Sequence, residues 1–137
     1  MRMDVTDMFF RNDVFDCVLC SHVLEHVTDD HRAMQEIHRV LKPSGFAVIQ
    51  VPVYDQPKTI EDSSITDEAE RIRRFGQRDH VRRYGRDFPD RLAEVFEVES
   101  VRYPQGFSRD DTRRYGFALT TIPVCRKRDT FAQPTIP

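Results

Sequence analysis

Phe15-Asp16-Cys17-Val18-Leu19-Cys20-Ser21-His22-Val23-Leu24-Glu25-His26-Val27 is the stretch on which the fold turns. Its first six residues form a short, mostly apolar run with polar flanks, which suits a buried strand better than a helix. Just downstream, Thr28 can cap a helix whose first turn holds Asp29 and Asp30, where the helix dipole favours negative charge. Ala33, Met34, Ile37, Val40 and Leu41 then fall on one helical face, and Pro43 and Gly45 stop the helix. Phe46–Val51 is a second apolar run, closed by Pro52, and it also reads as a buried strand. Strand, helix, strand with a crossover of this length predicts a right-handed parallel unit.

Working outward, Arg2–Val5 reads as the tail of a strand followed by a turn at Thr6-Asp7. Residues 55–86 show no long period and read as an insertion or lid-like segment, with a short helix near Asp67–Arg74 ended by Gly76. Asp87 can cap another short helix that tolerates Pro89 in its first turn and turns Phe88, Leu92 and Val95 inward. Val98–Tyr103 is a strand candidate, and Pro104-Gln105-Gly106 is a turn signal. Phe117–Arg126 is a further strand candidate, in which Pro123 argues for an edge or a break. No internal repeat appears. The reading is one domain over residues 1–130 and a disordered tail over 131–137.

The 137 residues suit a single domain, and a chain of this size buries roughly 68% of its unfolded surface. Charged residues make up 32% and the net charge is −2, which argues against nucleic acid or an anionic membrane as partner. The acidic stretch Glu61–Glu70 and the basic stretch Arg71–Arg86 read as solvated faces. No apolar run approaches the ~20 residues of a membrane span. With three cysteines in no framework spacing and no targeting segment, the chain reads as cytoplasmic and reduced.

The quoted stretch resembles the fourth strand and following turn of class I S-adenosylmethionine-dependent methyltransferases, in the branch labelled type 11. Arg39-Val40-Leu41-Lys42-Pro43-Ser44-Gly45 is similar to that family's helix end and entry to its fifth strand. Asp4-Val5-Thr6-Asp7 resembles the turn after the third strand, and Phe75-Gly76-Gln77-Arg78-Asp79-His80-Val81-Arg82 is similar to a segment of one subgroup. The resemblance implies an α/β, Rossmann-like fold: a mostly parallel sheet with flanking helices. Because the chain starts where the third strand should be ending, it implies an incomplete form without the first two strands. The family's glycine-rich cofactor turn has no counterpart. Gly45, Gly76, Gly85, Gly106 and Gly116 are all isolated.

Ligands of such sheets bind at the carboxyl ends of the strands, which selects Asp4–Thr6, Ser21–His26 and Val51–Tyr54. The resemblance implies S-adenosylmethionine as cofactor and a small-molecule methyl acceptor. The Asp4 carboxylate would accept from the adenine amino group, and the Val5 main-chain N–H would face the ring. Ser21 and His22 would lie near the methionine end, with His22 beside the transferable methyl. Tyr54, His80 and Arg82 would stand on the acceptor side, with His22 and His80 the catalytic candidates. Asp16 would be structural. The fourth strand, without the neighbour that flanks it in the family, would expose an apolar edge. That implies a dimer or a partner chain, or a catalytically inactive interaction module that binds through the same edge.

Several motifs admit other readings. His22-Val23-Leu24-Glu25-His26 also matches H-x-x-E-H, a zinc hydrolase pattern, with Glu97 and Glu99 as further ligands in principle. A strand-end turn entering a helix is preferred, because the preceding run is strand-like and no third ligand is placed; no metal is assigned. Cys17 and Cys20 stand three apart on a strand, so they point to opposite faces and cannot share a metal or a disulfide. Asp79-His80 reads either as a base with a substrate contact or as a solvated loop. Arg78, Arg82, Arg83 and Arg86 read either as an anion site or as partners of the preceding acidic run.

Overall fold

The computed structural model describes residues 3–103, 106–116 and 120–128. The chain runs β1 (Phe15–Ser21), a single 3-10 turn (Leu24–His26), α1 (Asp30–Val40), β2 (Leu41–Gln50), β3 (Ile60–Glu61), α2 (Glu68–Phe75), β4 (Arg82–Arg83), α3 (Phe88–Ala93), β5 (Phe96–Tyr103), α4 (Arg109–Tyr115) and β6 (Thr120–Lys127). The main sheet has the order β1-β2-β6-β5. β1 and β2 pair in parallel, as the crossover through α1 requires. β6 is antiparallel to both β2 and β5. The sheet is therefore mixed, which corrects the expectation of a mostly parallel one. The reason is the return of β5 into β6 through α4, which reverses the chain with no crossover back to the starting end.

The capping of α1 lies one residue later than the sequence suggests. Asp29, not Thr28, stands at the amino end and accepts from the Arg32 N–H at 2.9 Å. Ala33, Met34, Ile37 and Val40 form its buried stripe. The helix also ends before Pro43: Leu41 is already extended. Residues Lys42–Gly45 loop out of the ladder, because Phe15↔Leu41 is followed by Cys17↔Phe46. Gly45 is needed there, since a Cβ would come within 3.0 Å of the main-chain oxygens of Lys42 and Phe15. The Lys42 ammonium donates to both Asp16 oxygens beside this loop.

The core forms where α1 and α3 cover one face of the sheet. Met34, Ile37, Val40, Leu92, Phe96 and Ala47 are all fully buried in it. Neither β1 nor β2 is buried on both faces as expected. On β1, Cys20 is buried while Cys17 and Leu19 are exposed, Leu19 at 76%. This alternation follows from the period of two along a strand, with helices on one side only. β1 is also an end strand of the described sheet.

Pro123 does not mark an edge strand, since β6 lies between β2 and β5. It marks a break: pairing with β2 stops at Val124, while pairing with β5 continues through Ser100↔Pro123. Of the first residues, Asp4 and Asp7 bridge each other across a turn at Val5-Thr6. Arg2, Pro104, Gln105, residues 117–119 and the tail 131–137 lie outside the described residues. No helix among the described residues is long and apolar enough to cross a membrane.

Candidate functional site

Residues 55–86 leave the carboxyl end of β2 and return to it. β3 pairs antiparallel with β4, and Val53 bridges Tyr84 in parallel. α2 fills the excursion. Asp67 caps it, accepting from the Glu70 N–H at 2.8 Å, and Gly76 ends it at φ +94°. The return leg is anchored by four buried side chains, Phe75, His80, Arg82 and Tyr84. The Val81 N–H donates to the Glu25 carbonyl at 2.9 Å, so this leg lies against the turn after β1.

That turn carries most of the candidates. His22 adopts φ +55°, a left-handed conformation unusual outside glycine, and its N–H donates to the Gln50 carbonyl at 2.9 Å. Such backbone persists only where neighbours over-determine it. Here the β2 end holds the main chain, and Glu25 Oε1 meets His22 Nδ1 at 3.3 Å. His22 opens onto a cleft of about 520 Å³ at the carboxyl ends of β1 and β2, with Gln50, Val51, Val53, Arg86 and Phe88 among its walls. A smaller hollow of about 370 Å³ lies between Asp4, Thr6 and the His26–Asp29 turn. Asp4 Oδ1 accepts from both the Thr6 N–H at 2.8 Å and the Thr6 hydroxyl at 2.7 Å, which fixes the carboxylate.

Of the sequence-selected residues, His22 lines the cleft and Asp4 lines the hollow. Ser21 ends β1, one residue before His22, and Val5 sits in the turn beside Asp4. Tyr54 stands just past β2 with the Arg83 guanidinium 4.0 Å from its ring centre. His80 is buried behind His26, their rings edge to face at 4.8 Å. The Arg82 guanidinium donates to the carbonyls of Leu24 (2.7 Å), Val27 and Thr28 (2.8 Å). Tyr54, His80 and Arg82 are not part of the cleft wall that His22 opens onto. The cleft residues Arg86, Phe88, Pro89 and Thr121 carry no strand-end signal; they arrive through the return leg, the first turn of α3 and β6.

Beside the turn, Asp30 is a buried hub. It accepts from the Tyr84 hydroxyl at 2.6 Å and from Arg91 at 2.7 and 2.8 Å, and Arg82 Nε lies 3.6 Å away. Burial alone would raise its carboxyl. Hydrogen bonds from Arg91 and Tyr84, together with the charges of Arg82 and Arg91, more than offset that and hold it below the usual range. Burial, with the neighbouring Asp30 charge, pushes the Tyr84 phenol far up, so it stays a donor.

The thiols separate cleanly. Burial, aided by the Glu25 carboxylate, pushes Cys20 up to about 11, and burial, aided by Cys20, pushes Cys125 up to about 12. Both stay protonated and unreactive, while Cys17 is exposed. A disulfide reagent is expected to titrate one thiol per native chain quickly, and Cys17→Ser is expected to abolish that fast phase.

The methyltransferase domain family matches residues 1–49, which span Asp4, the turn after β1, α1 and most of β2. The chain is similar to the ubiquinone/menaquinone biosynthesis C-methyltransferase UbiE of Pectobacterium atrosepticum, 40% identical over 57 residues, which are 39% of this chain and 23% of that protein. An uncharacterized methyltransferase of Mycolicibacterium vanbaalenii is 29% identical over 136 residues, 93% of this chain and 53% of that one. The fold is similar to that of the 1,6-didemethyltoxoflavin-N1-methyltransferase of Burkholderia thailandensis, solved with 1,6-didemethyltoxoflavin and S-adenosylhomocysteine. That match has a TM-score of 0.57 at 20% identity and covers 91% of this chain and 48% of the other. The chain thus spans about half the length of the Mycolicibacterium relative, which it matches over 93% of its own length.

Proposed function

We propose that this chain takes part in S-adenosylmethionine-dependent methyl transfer to a small-molecule acceptor. The observation that supports the reading is the position of His22, which lies within the residues matched by the methyltransferase domain family and stands, in a left-handed conformation, at the mouth of the cleft beyond β1 and β2. When bound, S-adenosylmethionine supplies an electrophilic methyl group. The residues present fit the ends of such a ligand. The Asp4 carboxylate, fixed by Thr6, is an acceptor suited to an exocyclic amine, with the Val5 N–H beside it. Ser21 and His22 suit the methionine end. His22 is the catalytic candidate, placed to hold or accept a proton of the acceptor, with Glu25 orienting its ring. Tyr54, outside the cleft wall and stacked against Arg83, acts in this reading only on the neighbouring 55–86 segment. His80 and Arg82 act in this reading as positioning residues, through the 24–28 turn.

A second reading draws on β1, an end strand with Leu19 exposed. A second copy or a partner strand pairs along that edge, either to complete the cofactor site or as the chain's sole role. One experiment addresses both. The purified chain is titrated calorimetrically with S-adenosylhomocysteine while its mass is measured by light scattering. Saturable binding that Asp4→Ala weakens about tenfold, the worth of one well-made hydrogen bond, supports the methyl-transfer reading. A folded, monomeric chain that binds nothing overturns both.

A further inference from the structure

We infer that Glu25, His26 and His80 form a binding site for a divalent transition cation of the zinc class. Each of the three offers one ligand atom, and these atoms lie within 4.8 Å of one another. In a tetrahedral zinc site with bonds of ~2.0–2.1 Å the ligand atoms stand about 3.4 Å apart, so a modest closing of side chains completes the set. The H-x-x-E-H pattern supplies two of the ligands. The third arrives from a residue 54 positions further on, carried in by the return leg of the 55–86 segment.

Two independent observations point to a ligand here. Glu25 is 2% exposed, and its Oε2 is buried without a hydrogen-bond partner. A buried carboxylate oxygen left unpaired is costly, and a cation removes that cost. The histidines are also held as metal-binding histidines are. His80 Nδ1 sits 3.2 Å from the Phe75 carbonyl, and His26 Nδ1 sits 3.3 Å from the Asp79 carboxylate. Donation from each Nδ1 leaves Nε2 as the lone-pair nitrogen, and a carboxylate behind a histidine raises its basicity toward a metal. Two imidazoles and one carboxylate match zinc ligand chemistry, with a fourth position open to solvent.

Metal binding would tie the 75–82 segment to the turn that carries His22. It needs no methyl transfer, so its failure leaves the proposed function untouched. The test uses the full chain, free of any histidine tag, in a Cys17→Ser background that removes the exposed thiol as a competing ligand. Chelator-stripped protein is titrated with zinc sulfate against a chromophoric competitor, and separately with cobalt(II) to read the visible absorption. The expected result is one zinc per chain and the intense cobalt bands of a four-coordinate site. Glu25→Gln and His80→Ala should each weaken zinc by at least about 100-fold, more than the roughly tenfold expected of Asp79→Asn behind His26. His26→Gln, at a half-exposed position that folding tolerates, should match the first two. Substoichiometric uptake by folded protein, six-coordinate cobalt absorption, or a His26→Gln chain that binds like its parent would each overturn the site.

Discussion

Arg82→Met is expected to lower the unfolding free energy by about 3–5 kcal/mol, read from the midpoint of urea denaturation at constant slope. Arg82 is 3% exposed, and four of its five N–H donors have a main-chain or carboxylate partner. It donates to the carbonyls of Leu24, Val27 and Thr28, and its Nε donates to Glu61 Oε2 at 3.0 Å. Methionine fills the volume but leaves three carbonyls of one tight turn short of a donor, with Asp30 deprived of a nearby positive charge. Domains of this size hold roughly 5–15 kcal/mol in total, so the loss is a large share of the whole. Arg82→Lys keeps the charge and loses the planar fork, and should recover only a minor part. The same change should loosen the turn bearing His22, Glu25 and His26. A stability loss below about 1 kcal/mol would mean that the turn holds itself and that Arg82 is free for other work.

The burial of Arg82 was hidden in the sequence for a physical reason. It sits in a basic run, Arg71–Arg86, that reads as a solvated face, and Arg73 and Arg74 do pair at the surface with Glu70. Nothing local separates Arg82 from them. The difference comes from β4 returning beside the 24–28 turn, a contact across more than fifty residues. By contrast, β1, α1 and β2 were legible because their signals are local: an apolar run, a helical stripe and a second run closed by Pro52. α2 was legible through Asp67 and Gly76 at its two ends. The mixed sheet was not, because strand direction in β6 depends on how the chain turns after β5. Pro123 misled only in part, for it stands where the β2 ladder has already stopped and no donor is missed on that side. The carboxyl-end rule selected His22 and Asp4, which line the cleft and the hollow. It could not find the convergence of His80 on Glu25 and His26, which depends on the path of the whole 55–86 excursion.

Acid sensitivity should be set largely by Glu36. Its carboxylate is buried under α1, where it accepts from Arg39 at 2.7 and 2.8 Å and from the Met8 N–H at 2.9 Å. The Arg39 hydrogen bonds are the largest influence. They outweigh burial and, with the Met8 N–H and the charges of Arg39 and Arg32, hold Glu36 down at about 2 from an ordinary 4.5. A folded-state pKa below the unfolded one means that the folded chain binds fewer protons. The stabilisation is therefore fully present above about pH 4.5 and is lost as pH falls toward 2. A shift of this size corresponds to roughly 3 kcal/mol. Asp30, also held below its ordinary 3.8, steepens the fall in the same direction. Glu36→Gln should cost about 2–3 kcal/mol at neutral pH, because the amide keeps the shape but not the charge that binds Arg39. It should also flatten the decline of stability between pH 4.5 and 2, since the variant has no carboxylate there to protonate. Denaturation midpoints of the parent chain and Glu36→Gln should therefore converge as pH falls. Parallel curves across that range would place the acid-labile contact elsewhere, and would mean that Arg39 is held by its bonds to the Met8 and Phe10 carbonyls rather than by Glu36.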